Sequence, residues 1–438
     1  MSARRYAILG VWGLLAVVLL GLASSTRALP AQNDLRQATI PPDDFISVCP
    51  GGECDYTTIQ AAVDAASDGD TIKVAAGTYT DVNTYGGLAQ VAYINKTISI
   101  LGGYTTANWI AADPVANPST LDAQGQGRVL CITGDITCTL EGLRITGGDA
   151  AGLGGMPGTM YSDAGGGVYV MSSTITLASS QVASNTADYG AGVYVHDGVA
   201  TVTGNTIPSN TAEGYGGGLY LQGSSVMLRG NTLVSNTSND RGGGLFLSSS
   251  DGVVSGNRVS GNTARYSGGG LVLYGLLSPT VAGNTVISNS AGVGGGLFLW
   301  FSSATVRGNR IVSNTASHGG GVCVFDSGAT VSGNLMSGNI AKYGGGLEVV
   351  HATSGVPFDT DPTLINNLIV ANQASEGGSG ICVKGSSPRL LHNTIALNSG
   401  GDGSAVFVDR NDTGKTGIFY GTTSLVNTVL VSHTVGIS

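Results

Sequence analysis

A Gly-Gly-Gly-aliphatic-x-aliphatic hexad recurs along this chain and limits what the chain can become. It stands at Gly216 to Leu221, Gly242 to Leu247, Gly268 to Leu273, Gly294 to Leu299, Gly319 to Val324 and Gly344 to Val349. An earlier copy opens at Gly165, and looser copies open at Gly190, Gly378 and Gly403. The steps are 25 or 26 residues, apart from one of 34 between Gly346 and Gly380. A fixed period of this size means stacked structural units, each covering the next.

Each unit has two more landmarks. A Gly-Asn pair is followed five residues later by a second Asn, as in Asn231/Asn236, Asn257/Asn262, Asn284/Asn289 and Asn309/Asn314. An aliphatic residue precedes the first Asn by three, as in Leu228, Val254, Val281 and Val306. Apolar positions alternate within these stretches, which is the period of a strand. One unit therefore predicts three short strands and three turns. A propeller blade would need about 40 residues and four strands, and a leucine-rich repeat would show its own signature. The remaining fold is all-β, a parallel β-helix with three strands and about 25 residues per coil. Asn at one place in successive coils predicts ladders of side-chain amides, each bond contributing about 0.5–1.5 kcal/mol. Stacked pairs such as Val168/Val170, Leu219/Leu221 and Leu297/Leu299 are the expected core.

Ahead of the array, Thr57 to Ala66 reads as a helix. Ile59, Ala62, Val63 and Ala66 share a face, Thr57 and Gln60 suggest a capping box, and Gly69 follows as a stop. One amphipathic helix before a repeat array suits a terminal cap. Residues 71–74, 97–101, 129–133 and 140–146 read as strands, and 147–163 as a Gly-rich loop. The expected organisation is a cap with irregular first coils over 49–163 and regular coils over 164–438. Residues 1–28 carry Arg4 and Arg5 before 17 uncharged residues and then small ones. They read as a signal peptide or an uncleaved signal anchor. Residues 29–48, with three prolines, read as a linker. No other stretch is long and apolar enough to span a bilayer, so the expected location is extracellular or at the cell surface. The last coil stops at Ser438 without a capping helix, which reads as a chain that is truncated or continues elsewhere.

The net charge is −9, only 11% of residues are charged, and the basic ones are scattered in sequence. Scattered cations argue against nucleic acid as a partner. An acidic surface would also repel an anionic polysaccharide unless a cation or a local basic cleft intervened. The 6 cysteines fall in a chain expected to meet oxidising conditions. Cys49 and Cys54 could close a small loop, and Cys131 with Cys138 is a second plausible pair. These four could alternatively hold zinc. Cys323 and Cys382 occupy equivalent positions two coils apart, about 10 Å at the spacing of stacked strands, too far to bond.

At this point the sequence resembles the right-handed parallel β-helix of the pectin-lyase-like superfamily. Tyr56 to Tyr79, with Thr58-Ile59-Gln60-Ala61-Ala62-Val63 and Gly69-Asp70-Thr71-Ile72, is similar to its N-terminal cap and first strand. The array resembles the repeats of polymorphic outer-membrane proteins, with Leu233-Val234-Ser235-Asn236 carrying an aliphatic residue where those have an aromatic one. The resemblance implies the fold. It leaves activity open, because one fold hosts many. The superfamily's glycosidases use Asn-Thr-Asp, Asp-Asp and Gly-His-Gly motifs. The array has none of these, and Asp43-Asp44 falls in the linker.

Two features remain as candidates for function. By alternation, the main-strand position between the buried aliphatics points outward. It reads Tyr169, Tyr194, Tyr220, Phe246, Val272, Phe298, Cys323, Glu348, Cys382 and Phe407. The next outward position adds Tyr274, Trp300 and Phe325. Such an aromatic stripe is expected either to stack coil on coil or to bind a polysaccharide or another partner. The second feature is a pair of inserts at one corner, two coils apart. The first carries His351, Asp359 and Asp361, and the second Asp409, Arg410, Asp412 and Lys415, with Lys384 and Asp402 nearby. These carboxylates could take calcium, though loops of this kind are commonly just solvated. The lone His196, His318, His392 and His433 read as surface or turn residues. Three functions stay open on this reading. They are a non-catalytic surface protein in adhesion or carbohydrate binding, a polysaccharide lyase or glycosidase, and a rigid structural spacer.

Overall fold

In the computed structural model, residues 45–156, 162–352, 360–412 and 418–438 are described. Their strands stack into three long sheets of 14, 14 and 13 strands. The coil from Leu219 shows how one unit is built. Leu219–Gln222 lies in the main sheet, Ser225–Arg229 in a second and Thr232–Val234 in a third. Each strand pairs in parallel with its counterpart one coil on, so Leu219 meets Leu245, Leu228 meets Val254 and Leu233 meets Val259. A parallel β-helix is therefore what forms. In four consecutive coils a fourth, two-residue strand is added, Thr237–Ser238 in this one. The alternation expected a turn at that place.

Inside the coils the aliphatic columns form one continuous core. Leu219, Leu221, Val226, Leu228 and Leu233 are all buried in a single turn of the helix. At about 1.5–3 kcal/mol for each buried aliphatic side chain, these offset much of the cost of ordering a coil.

The corners are held by two asparagine ladders. Asn262 Nδ2 donates to Asn289 Oδ1 at 3.0 Å, and Asn289 Nδ2 donates to Asn314 Oδ1 at 3.0 Å. The same Asn289 Oδ1 accepts the backbone N–H of Asn262, and Asn289 Nδ2 also donates to the Val259 carbonyl. The other ladder runs through Asn205, Asn231, Asn257, Asn284 and Asn309 in the same way. All of these asparagines are buried, so the ladder satisfies groups that water cannot reach.

The N-terminal end departs from the expectations in detail. Phe45–Val48, expected to end a linker, pairs in parallel with Thr71–Ala75 and belongs to the second sheet. Residues 1–44, with the candidate signal and the rest of the linker, lie outside the described residues. The helix α1 spans Ile59–Ala65, and its N-cap is Thr58, which accepts from Ala61 N, in place of Thr57. Gln60 is used differently: its Oε1 accepts from Tyr93 N and its Nε2 donates to Asp64. Ile59, Ala62 and Val63 join the core, while Lys96 Nζ donates to the carbonyls of Val63, Asp64 and Ala66 at the other end. Cys49 and Cys54 are disulfide-bonded. Cys131 and Cys138 are not: both are free and buried, on the main and second sheets respectively. Cys138 faces the core, and Cys131 faces away from it into a separate apolar cluster.

Two stability outcomes follow. Asn289→Ala strips the Asn262 N–H groups of their acceptor and is expected to cost about 2–4 kcal/mol in urea unfolding. Leu397 sits at φ 56 with its side chain exposed, at the corner position where Gly261 and Gly338 stand in other coils. Leu397→Gly should stabilise by about 1 kcal/mol, read from the same unfolding curves. A neutral or destabilising result there would contradict the strain assigned to that corner.

Candidate functional site

The outward face of the main sheet was expected to be an exposed aromatic stripe. The structure instead covers most of it. Tyr194 has no exposed surface, Tyr220 and Phe246 retain 2%, Phe298 5% and Tyr169 6%. They form a second apolar cluster, apart from the core. Part of its cover is the residue just before the glycine triplet: Tyr189, Tyr215 and Val293 pack against it, and from Tyr215 the same position is bridged coil to coil through Arg241, Ser267, Val293, His318 and Tyr343. The turn behind the cover needs glycine. Gly216 has φ +70, and a Cβ there would lie 2.7 Å from Tyr220 Cβ and collide with the Leu219 carbonyl oxygen. That tight reversal folds Tyr215 back over the sheet, where its ring stacks on Phe246 with centroids 4.8 Å apart. Alternation separates core from non-core positions, but it does not tell whether a non-core side chain is left open. The recurring large residue ahead of the triplet was the signal for the cover.

The second outward column stays partly open. Tyr274, Trp300 and Phe325 are adjacent in register and half-buried. Tyr274 and Trp300 lie 4.5 Å apart between centroids, and Trp300 stacks on Phe301 at 5.7 Å. The Arg241 guanidinium lies 5.1 Å from the Trp300 ring. Of the eight aromatics read as candidate binders, these three, Tyr274, Trp300 and Phe325, are the ones with substantial surface.

Further along the same face the buried column changes from apolar to ionisable. Glu348 follows Cys323 and precedes Cys382 in register, with no exposed surface. His318 Nδ1 lies 3.1 Å from both Glu348 oxygens, and Lys384 Nζ lies 3.6 Å from Oε1. The Lys384 ammonium also sits 3.3 Å from the centre of the Tyr343 ring, on which His318 stacks. A buried carboxylate beside an ammonium and an imidazole N–H is compensated; one without them would be costly. The flanking thiols behave differently. Burial, reinforced by the Glu348 charge, pushes both Cys323 and Cys382 well above the ordinary thiol range, so they stay protonated. His318, Glu348, Lys384, Phe325 and Asn411 line a cavity of about 340 Å³. With Nδ1 donating to Glu348, the other imidazole nitrogen is left as an acceptor. This gathers a carboxylate, an imidazole and an ammonium in one recess beside the aromatic column. His318, read from the sequence as a surface or turn residue, is part of it.

Described residues at the edges of the two inserts, Ala352 and Asn411, border this recess. Asn411 Nδ2 donates to the His351 carbonyl at 2.9 Å, and the Phe419 ring meets the His351 ring edge-on. His351 Nδ1 also lies 2.8 Å from the buried Asp326. The candidate calcium ligands are dispersed among other tasks. Asp361 accepts from Ser386 Oγ and Ser387 N, and Asp409 is exposed and accepts from Arg410 N. Asp359 lies outside the described residues, and Asp412 falls on the short strand Asn411–Asp412. Among the described residues no group of three or more His, Cys, Asp or Glu is arranged to hold a metal ion, the four-cysteine zinc set included. No helix among them is long and apolar enough to cross a membrane.

A family model described as "Right handed beta helix region" matches residues 128–311 and 200–369, more than half of the chain together. No curated protein matches the sequence. Among solved structures, the chain is similar to the periplasmic alginate epimerase AlgG at 14% identity and TM-score 0.35, covering 82% of this chain and 77% of that one. Pectate lyase Pel9A is similar at 13% identity and TM-score 0.26, with 84% and 72% covered. PfbA, a surface adhesin of Streptococcus pneumoniae, is similar at 13% identity and TM-score 0.27, with 82% and 89% covered.

The split between covered and open aromatics has a measurable consequence. Tyr194→Ala empties a fully buried site and is expected to cost roughly 3–5 kcal/mol. Trp300→Ala removes a half-exposed ring and should cost roughly 1–2 kcal/mol. Thermal or urea unfolding of the two variants measures both, and equal losses would contradict the covered cluster.

Proposed function

We propose, from the premise that this chain belongs to the family of right-handed β-helix regions, that it is an exported saccharide-binding protein of the cell surface or its surroundings. The ligand would lie along the outer face of the main sheet. Sugar rings would stack on Tyr274, Trp300 and Phe325, and one residue of the glycan would reach into the recess of His318, Glu348 and Lys384. One observation carries this reading: a half-open aromatic column runs in register directly into a recess of ionisable groups. Aromatic faces suit the apolar faces of sugars, and a few convergent polar groups orient a ligand.

The same recess favours a second reading, a polysaccharide lyase or glycosidase. An imidazole held by a carboxylate, next to an ammonium, is a workable proton-transfer set. His318 would move the proton, Glu348 would orient its ring, and Lys384 would stabilise developing negative charge.

A glycan array probed with wild type and with Trp300→Ala tests the first reading. Wild type should bind a defined subset of glycans, and the variant should lose at least about tenfold in affinity for that subset. No binding by the wild type would leave the rigid-spacer function in its place. Incubating bound glycans with wild type and His318→Gln tests the second reading. Unsaturated or reducing ends released by wild type and abolished in the variant would make it an enzyme. Intact glycans after prolonged incubation would make it a binder.

A further inference from the structure

Scattered in sequence, the arginines of the array fall into place once its period is folded. Arg229 and Arg307 occupy one outward column at the end of the second sheet, linked in register through Ser255 and Ala282. Arg258 and Arg310 occupy the first outward column of the third sheet, with Thr285 between them. The two columns flank the Gly-Asn corner, so the four guanidinium groups share one edge of the β-helix. All four are exposed. They span three coil steps, about 14 Å at the spacing of stacked strands.

This edge carries no matching acid. The strands of the third sheet from Gln181 to Val431 contain arginine as their only charged residue. Among the described residues none of the four arginines is in an ion pair. The nearest carboxylate in the adjoining second-sheet strands, Asp251, sits at the opposite end of its strand. Acidic residues gather elsewhere: Asp149, Asp163, Asp188 and Glu213 line a separate cleft. A chain of net charge −9 thus keeps one edge positive. Stability does not explain that edge, since exposed arginines without an acidic partner contribute no ion pair to the fold.

We propose that this corner binds a linear acidic polysaccharide, with Arg229, Arg258, Arg307 and Arg310 as its anion contacts. Each guanidinium can grip a carboxylate or sulfate bidentately. Arg258 and Arg310 stand two coils apart, about 10 Å, a spacing that suits charges repeated along an extended polymer. Thr232 and Thr285 put hydroxyls in the same column to meet sugar hydroxyls. The surface suits nucleic acid less well. The outward positions of the two flanking columns hold no aromatic side chain for base stacking, and duplex binders commonly engage about 6–10 phosphates. This site is on a different face from the aromatic column and does not rest on the function proposed for that column.

The test uses the full chain, with polygalacturonate, neutral dextran, single-stranded DNA and duplex DNA as probes, at low and at physiological salt. Wild type should bind polygalacturonate, more weakly as salt rises, and should not bind dextran at this edge. The variant Arg229→Gln/Arg258→Gln/Arg307→Gln/Arg310→Gln should bind it roughly ten- to a hundredfold more weakly. Trp300→Ala, on the other face, should keep wild-type affinity for polygalacturonate. If the quadruple variant fails to fold, the pairs Arg229→Gln/Arg258→Gln and Arg307→Gln/Arg310→Gln should each show an intermediate loss. The proposal is overturned by a wild type that does not bind polygalacturonate, by arginine variants that bind it unchanged, or by loss in Trp300→Ala alone. Tighter binding of either DNA than of polygalacturonate overturns it as well.

Discussion

Everything in this structure depends on one constraint: each coil must lie in register on the one before it. Parallel strands about 4.8 Å apart make that the only arrangement in which all backbone groups are paired. Once the coils are in register, every position in the sequence period becomes a column in space. Leucines stack on leucines and fill the interior. Asparagines stack on asparagines and satisfy the corners, each Oδ1 taking both a backbone and a side-chain hydrogen from its neighbour. The same rule that builds the core also builds the surface. A residue type repeated at 25 or 26 residues becomes a continuous stripe, whether or not stability requires one.

That rule explains which parts of the molecule could be read from the chain. The coils, the aliphatic columns and both asparagine ladders were legible, because each is a direct image of the period. The N-terminal helix was legible as well, although its cap is Thr58 and not Thr57, since adjacent threonines offer the same oxygen to the same helix start. The Cys131 and Cys138 pairing failed for a reason that the period itself contains. Seven residues carry the chain from one sheet round to the next, and the two thiols end on opposite sides of the wall.

The fate of the main-sheet aromatics shows a limit of a different kind. Alternation correctly sent Tyr194, Tyr220 and Phe246 away from the core, but it could not reveal the second layer laid over them. That layer exists because a glycine at positive φ lets the chain reverse tightly enough for the residue before it to cover the sheet. The recess around Glu348 was harder still to see. His318, Glu348 and Lys384 are separated by 30 and 36 residues, because the 34-residue step falls between the last two. The register survives the insert, since Glu348 still meets Cys382. Glu348 itself was visible as the one acid in its column; that His318 and Lys384 would meet it was not.

A scaffold of this type separates its tasks by face. The interior and corners are committed to stability, so residues there have little freedom to vary. The outer columns are almost free energetically, because a strand pairs through its backbone whatever its outward side chain. Chemistry on the outside of a β-helix is thus selected with little cost to folding, and departures from apolar or neutral filler carry information. By that measure two places stand out. One is a buried glutamate compensated by a lysine and a histidine. The other is an edge where four arginines face solvent with no acid to answer them. The glutamate is the more informative, because removing its partners would leave an uncompensated buried carboxylate, a cost of about 3–5 kcal/mol. The arginines are the more permissive, since water alone satisfies them. A role for the edge therefore stands on binding, while the recess already owes its order to the three groups that meet in it.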